Sequence, residues 1–179
     1  MDDRYLAPAL KVFVDGTALA PDVALHVARA TVTLQRDSVD GFTLELVNPY
    51  PELPWTHGDL KDVFAPGMPV TVQMGYVDDL SPLIEGEVTR IAAAFDEGGT
   101  STLRVSGATW LHRLQTATRT RTFLQSTDAD IAQRVAQEAG LTAVVSGADT
   151  VTHPYVAQVN QTDLAFLRER ARRIGCEIF

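Results

Sequence analysis

The stretch VTHPYVAQVNQTDLAFLRERARRIGCEIF, residues 151–179, contains the clearest helical pattern of this chain. Apolar residues recur at steps of three and four over residues 164–174, which places them on one face of a helix. Asn160 or Thr162 is predicted to cap the free amides of the first turn. Gly175 is predicted to end the helix. The stretch therefore contributes a capped amphipathic helix to the fold.

The residues after this helix and the size of the chain bear on its completeness. Residues 176–179 alternate like a starting strand, and a strand at the very end leaves no room for a partner, so we expect a piece of a longer protein. A length of 179 residues suits one domain and part of another. The acidic N-terminus lacks the apolar segment of a secretory signal, and no apolar run is long enough for a membrane helix. We therefore expect synthesis in the cytoplasm and no membrane segment.

Charge is distributed unevenly along the chain. Residues 1–115 contain 8 Lys and Arg against 16 Asp and Glu, whereas residues 116–179 contain 7 of each. A surface this acidic repels phosphate backbones, so we expect no direct nucleic-acid binding. The alternative is that the acidity only serves solubility.

The first two thirds of the chain predict a mainly β domain with bent antiparallel strands. Apolar and polar residues alternate in several stretches, as in strands with one buried face. These stretches are residues 10–14, 23–27, 30–34, 42–46 and 70–76. The phase slips by one residue between Val27 and Ala30 and again between Val88 and Ile91, so each site is predicted to hold a bulge or a strong bend. Long bent strands suit a β-barrel or a β-sandwich.

A long proline-rich loop, from Asn48 to Pro69, interrupts this β region. It contains the aromatic residues Trp55 and Phe64. Loops of this length are commonly functional, and one interpretation is an arm that docks on a neighbouring subunit. The alternative is that the aromatic side chains pack on their own sheet. Trp55 and Phe64 are therefore candidate subunit-interface residues.

Two arginines in the motif TRTRT, residues 118–122, are further candidates for the subunit interface. The motif is predicted to be an extended connector or an edge strand. Arg119 and Arg121 on one face can hold a carboxylate, a phosphate or a partner subunit. The alternative is that they pair with acids of their own domain.

Residues from about 116 onward are predicted to form a smaller α/β part. Just before this part, residues 110–114 predict a short helical turn or a bend. A helix is expected to begin after the cap Thr127, with Asp130 three residues on, and to end at Gly140. A strand is expected over residues 141–145. The second part of the chain therefore differs in class from the first.

No pattern typical of catalysis or metal binding is present in the sequence. The four histidines have no zinc spacing, and there is neither a glycine-rich phosphate loop nor a nucleophile elbow. The single cysteine, Cys176, is expected to be a buried inert thiol. A carboxylate pair needs no spacing in sequence, so it remains open. We expect a protein that is not an enzyme and has no cofactor or metal.

Five segments in order carry a family resemblance over roughly residues 64–175: FAPGMPVTVQMGY, LIEGEVTRI, TRTRTF, STDADIAQRVAQEAGL and HPYVAQVNQTDLAFLRERARRIG. They resemble the phage late control protein D family, the baseplate hub family of contractile tails. That family includes the hub part of the type VI secretion spike and the hubs of extracellular contractile injection systems. The segment NQTDLAFLRERARRIG is the most specific part of the match.

What the resemblance implies is a structural role without catalysis. Members form homotrimers in which each chain offers two tube-like β domains, so that a ring of pseudo-six-fold symmetry connects the inner tube to the central spike. The implied partners are other copies of the chain, the inner tube protein, a spike protein or spike domain, and baseplate proteins. The implied location is a phage tail, a tail-like particle or a secretion machine. Residues 1–115 would be the tube-like β domain, and residues 116–179 the truncated start of an α/β domain.

The acidic first domain suggests a hypothesis about the channel of such a ring. Acidic side chains could line a passage through which cargo slides, which requires Glu45, Glu85, Glu87 and Asp96 to face that passage. Two alternatives from other classes remain. A cell-wall hydrolase attached to a tail component would gather carboxylates in a cleft. A carbohydrate-binding module would expose a row of aromatic residues.

Overall fold

The computed structural model describes residues 8–36, 38–48, 63–76, 79–95, 101–147 and 150–179. The chain divides into two compact units, unit 1 from Met1 to Thr109 and unit 2 from Trp110 to Phe179. The division lies a few residues before the domain boundary expected from sequence, because the segment that follows Thr109 packs within unit 2.

Unit 1 is a seven-stranded antiparallel sheet with the strand order β2-β1-β5-β6-β7-β4-β3. Its strands are β1 (Pro8–Val14), β2 (Thr17–Ala18), β3 (Val27–Thr33), β4 (Gly41–Asn48), β5 (Pro69–Tyr76), β6 (Asp79–Phe95) and β7 (Ser101–Ala108). The bounds of β4 and β5 match the predicted ends of the long loop between them.

The long strand β6 joins two layers of this sheet. Its residues up to Glu87 pair with β5, and its residues from Glu87 onward pair with β7. Side chains from both layers form one buried core, which contains Val12, Val14, Val23, Phe42, Leu44, Leu46, Phe64, Val70, Val72, Ile84, Val88, Leu103 and Val105. The predicted class, mainly β with bent antiparallel strands, is confirmed. Among the described residues the strands form an open two-layered arrangement and no closed barrel.

Both phase slips seen in the sequence coincide with register shifts between strands. β3 shifts against β4 between Val27 and Arg29, and β6 shifts against β7 between Val88 and Arg90. After the second shift Ile91 packs against the core, so the extra residue restores the inward phase. The two predicted bulges are confirmed.

A four-residue helix, α1 (Pro21–Ala24), stands where the alternation of residues 23–27 predicted a strand, so that prediction is wrong. Pro21 occupies the first helical turn, where its fixed φ suits a helix and its missing N–H is not needed. Of the alternating residues Val23 is buried in the core, while Leu25 is 86% exposed. Before β3 begins, the alternating residues 23–27 therefore place only one side chain, that of Val23, in the core.

Unit 2 combines a short 3-10 helix (Trp110–Gln115) with a two-stranded antiparallel sheet and two α-helices. The remaining elements are β8 (Thr118–Ser126), α2 (Asp128–Glu138), β9 (His153–Thr162) and α3 (Asp163–Arg173). Phe123 of β8 lies opposite Val156 of β9, and both are buried. The ring of Phe166 in α3 stacks on that of Phe123 with centroids 5.7 Å apart. This aromatic pair joins the sheet to α3.

Both helices of unit 2 begin and end where the sequence predicts. Thr127 and Asp130 form a reciprocal capping box at α2. The hydroxyl of Thr162 accepts a hydrogen bond from a backbone amide in the first turn of α3. Gly140 and Gly175 follow the helices with φ of 70° and 69°, in the left-handed region that favours glycine.

Two strands predicted for unit 2 are absent from the described residues. Residues 141–145 and 176–179 pair with no strand there, and Val144 is 95% exposed. Alternation of side chains does not by itself make a strand, since a ladder needs a partner backbone. Conversely, β9 forms although the sequence analysis did not predict it.

Candidate interaction surfaces

The most connected polar cluster of unit 2 surrounds Asp163, the first residue of α3. Its carboxylate accepts a hydrogen bond from Arg121 Nη2 at 2.6 Å and lies 3.2 Å from Arg119 Nε. The fully buried Gln158 donates to it from Nε2 at 2.8 Å. Arg121 also pairs with Glu138 of α2. Both arginines that the sequence suggested for a subunit interface thus bind acids of their own unit. Their role at a subunit contact stays a prediction.

A second buried carboxylate, Asp128, lies at the first turn of α2. It accepts a hydrogen bond from Arg170 Nε at 2.6 Å, and His153 Nε2 lies 3.2 Å from its other oxygen. Burial alone would raise the pKa of Asp128, but the hydrogen bonds and charges of Arg170 and His153 outweigh it and lower the pKa below 3.8. The cluster connects α2, β9 and α3. Sequence reasoning missed it, because these residues are 25 and 42 positions apart.

A half-open cavity of about 300 Å³ lies beside β9 and α3. Its lining includes His153, Tyr155, Phe166, Arg170 and Arg173. Both arginines are already neutralised, Arg170 by the buried carboxylate described above and Arg173 by Glu169, its neighbour one turn back on α3. The cavity therefore offers no unpaired cationic group for an anion.

Of the two aromatic interface candidates in the long loop, Phe64 is among the described residues and Trp55 is not. Phe64 is 3% exposed and belongs to the core of unit 1, so its ring packs on its own sheet. For Phe64, this position corresponds to the interpretation in which the aromatic side chains of the loop pack on their own sheet and not on a neighbouring subunit. Trp55 lies outside the described residues.

An arginine row crosses the outward face of one layer of unit 1. Arg29 on β3, Glu45 on β4 and Arg104 on β7 stand opposite one another in the strand register. Glu45 accepts a hydrogen bond from Arg104 Nη2 at 2.8 Å and lies 3.7 Å from Arg29 Nε. Arg90 of β6 pairs with Ser106 one row away and is exposed. We call the outward surface of β3, β4, β7 and the second half of β6 the arginine face.

The acids named for a channel lining are in different settings. Glu45 is ion-paired within the arginine face, while Glu87 is 4% exposed and buried. Glu85 is exposed on the first half of β6. Asp96 lies outside the described residues. The channel hypothesis stays a prediction.

Within the described residues no group of three or more His, Cys, Asp or Glu side chains is arranged to hold a metal ion. Cys176 is half-buried, and its Sγ lies 3.7 Å from the carbonyl oxygen of Gly147. None of the described helices is both long and apolar enough to cross a membrane.

The fold is that of tail proteins of known structure. It is similar to the 43 kDa tail protein of prophage MuSo2 from Shewanella oneidensis, with a TM-score of 0.70 and 17% identity, covering 94% of this chain and 49% of that chain. It is also similar to an E. coli component of the type VI secretion system described as resembling T4 bacteriophage tail proteins, with a TM-score of 0.55, 11% identity and coverage of 94% and 41%. A third similar structure is the Francisella PdpA-VgrG complex, with a TM-score of 0.58, 11% identity and coverage of 93% and 28%.

The sequence comparison gives the family. The family model of the Alg8 N-terminal domain matches residues 7–179, so the chain belongs to the Alg8 N-terminal domain family. No curated protein sequence matches the chain. The chain spans about half the length, or less, of the tail proteins whose fold it shares.

Proposed function

We propose that this chain is a structural hub component of a contractile injection machine. In this role three copies form a ring of pseudo-six-fold symmetry that connects the inner tube to the central spike. The observation that carries the proposal is the match of 94% of the chain to a prophage tail protein at a TM-score of 0.70. The ordered segments that resemble the late control protein D family support the same role.

The geometry of unit 1 supports assembly rather than chemistry. Among the residues that the structure describes, its sheet has two different edges: β3 at one end, and at the other the N-terminal part of β1, which the two-residue β2 does not cover. Open strand edges favour pairing or packing with another chain, and a closed ring buries them. The partners proposed are other copies of the chain, the inner tube protein, a spike protein or domain and baseplate proteins.

The proposed role needs no catalytic residue, and we therefore propose that the chain is not an enzyme and uses no cofactor. The buried carboxylates Asp128 and Asp163 bind arginines, which favours a role in stability. A cell-wall hydrolase would instead need carboxylates converging on an open cleft.

The experiment that tests the hub role is electron microscopy of the particle that contains this protein. A fusion tag on the chain should place three copies between a six-fold tube and the spike. Deleting the gene should abolish tubes capped by a spike while leaving the tube protein soluble and unassembled. Particles that assemble normally without the chain, or that contain it at a peripheral site, would refute the proposal.

A further inference from the structure

One edge of the sheet in unit 2 is open along β9. The sheet has two strands, and no third strand pairs with β9 among the described residues. Every second residue of an antiparallel strand directs its N–H and C=O groups away from its neighbour, so β9 presents a row of backbone donors and acceptors on the side opposite β8. Pro154 has no N–H, the N–H of Asn160 donates to a hydroxyl of β8, and the C=O of Gln161 accepts from a side-chain amide. The open stretch is therefore YVAQV, residues 155–159.

The cavity beside β9 and α3 lies along this open edge. All the residues that line it belong to β9 or α3, and none belongs to β8. Tyr155, Val156 and Ala157 are consecutive and all line it, although neighbouring side chains of a strand point to opposite faces. A space that touches both faces of a strand lies beside its backbone. The space is therefore a groove that an extended chain can enter, and we call it the β9 groove.

The open stretch of β9 lacks the charges that usually protect a strand edge. Native edge strands are commonly blunted by charged side chains or proline, because an unprotected edge pairs with other chains. Pro154 blunts only the start of β9, and residues 155–159 contain no charged residue. Tyr155 and Val159 are each 62% exposed. This edge therefore favours pairing with another strand.

The β9 groove selects against a charged occupant. Its two arginines are neutralised by Asp128 and Glu169, and its backbone edge carries no charge. A charged side chain placed there would lose water without gaining a partner. Tyr155 and Val159 flank the backbone with exposed apolar side chains. The groove therefore fits an uncharged extended segment with apolar side chains at alternate positions.

We propose that the β9 groove binds an extended, uncharged segment of a partner protein as a third strand of the sheet. In this mode of binding, main-chain hydrogen bonds supply the affinity, and side chains at alternate positions supply the specificity.

The site goes beyond the proposed hub role, because it is argued from unit 2 alone. Only the choice of a partner protein over a second copy of the chain rests on that role. Two β9 edges paired with each other would form a two-fold symmetric dimer, which does not suit a three-fold ring.

The first test measures the binding of a defined strand by fluorescence anisotropy. The probe is a labelled peptide of alternating valine and threonine, about nine residues long, with a lysine at each end for solubility. We expect the wild type to bind it with a dissociation constant of about 100 µM or tighter. Amide hydrogen exchange in residues 155–159 should slow when the peptide is bound. The same peptide N-methylated at every central residue should not bind, because it lacks backbone donors.

Substitutions on the two strands separate the β9 groove from the rest of the sheet. Tyr155→Lys and Val159→Lys each place a charge at the groove and should weaken binding at least about tenfold. Leu124→Lys is the matched control, because Leu124 is 64% exposed, stands opposite Tyr155 on β8 and does not line the groove. Its affinity for the peptide should stay within about twofold of the wild type. Circular dichroism checks that all three variants are folded.

Three results of this test would each overturn the inference. They are a wild type that does not bind the peptide, equal binding of the N-methylated peptide, and equal effects of Tyr155→Lys and Leu124→Lys.

The second test identifies the source of the strand in the assembled particle. Tyr155 is replaced by the photo-cross-linker benzoylphenylalanine, and the cross-linked peptides are identified by mass spectrometry. We expect a link to an uncharged segment of a different protein, with apolar residues at alternate positions. A link to another copy of this chain, a link within the chain, or no link would overturn the inference. The hub role would survive such a result if microscopy still places three copies beneath the tube, and loss of that placement would leave peptide binding by the β9 groove unaffected.

Discussion

The substitution Asp163→Ala is expected to destabilise unit 2 strongly. Asp163 accepts hydrogen bonds from Arg121 and Gln158 and forms an ion pair with Arg119, and its side chain is 8% exposed. Removing one partner from a buried charge pair costs about 3–5 kcal/mol, mostly because the remaining charge stays buried and unpaired. Arg121 keeps Glu138, and the side chain of Arg119 is 48% exposed and can turn to water. The lower end, about 3 kcal/mol, is therefore the expected loss.

The measurement is urea unfolding followed by the fluorescence of Trp110, which lies in unit 2. The chain has two tryptophans, so a Trp55→Phe background leaves Trp110 as the single reporter. The matched control is Glu169→Ala, which removes an exposed acid from the same helix and should leave the midpoint within error of the parent. Asp163→Asn, which keeps the shape and loses the charge, should fall between the two. A loss below about 0.5 kcal/mol for Asp163→Ala would contradict the view that this cluster holds unit 2 together.

Three further substitutions test other parts of the fold. Gly86→Ala places a Cβ 2.1 Å from the backbone oxygen of Ala108, so β6 and β7 must separate; a loss of about 1–3 kcal/mol or more in unit 1 is expected by denaturation, and an unchanged midpoint would refute the packing. Thr162→Ala removes the cap of α3 and should lower the free energy of unfolding of unit 2 by about 1 kcal/mol in the Trp110 fluorescence assay, while Thr162→Ser should keep most of that stability. The lowered pKa of Asp128 means that its contribution is present above pH 3.8 and is lost as the pH falls through the folded-state pKa. Stability of unit 2 should therefore fall more steeply in acid for the wild type than for Asp128→Asn, and parallel pH profiles would exclude this role.

Local sequence signals predicted the parts of the fold that depend on neighbouring residues. The phase slips at Val27 and Val88 indicated bulges because a strand with one buried face cannot change phase without an extra residue. Thr127 and Thr162 indicated helix starts because their hydroxyls satisfy free amides of the first turn. These features need no information from distant parts of the chain.

Strand β9 was not predicted because its alternation of apolar and polar residues is inverted at one position, where a polar side chain faces inward and an apolar one faces outward. Gln158 is fully buried, whereas the apolar Val159 next to it is 62% exposed. The buried amide is stable there because it hydrogen-bonds with Arg121 and Asp163. Asn160 then takes a positive φ of 47°, which breaks the alternation again. A period-based reading cannot recognise a strand whose inward residue is polar.

The candidate surfaces depended on contacts between distant residues. Arg119 and Arg121 were recognisable as a pair on one strand, but Asp163 lies more than 40 positions away and nothing in the spacing connects them. The residues of the arginine face are likewise not connected by sequence spacing, because Arg29 and Arg104 become neighbours only through the pairing of β3, β4 and β7. The alternation along each strand indicates which side chains face outward. It does not indicate which strands lie side by side, so the neighbours of an outward side chain cannot be predicted from the local pattern.

Strand β6 has a mechanical consequence for unit 1. One continuous backbone runs from a ladder with β5 into a ladder with β7. A pull on either layer therefore passes to the other along covalent bonds, in addition to any side-chain contacts between the layers. Separating the layers therefore requires β6 either to straighten near Glu87, where it passes from one ladder to the other, or to lose one of the two ladders.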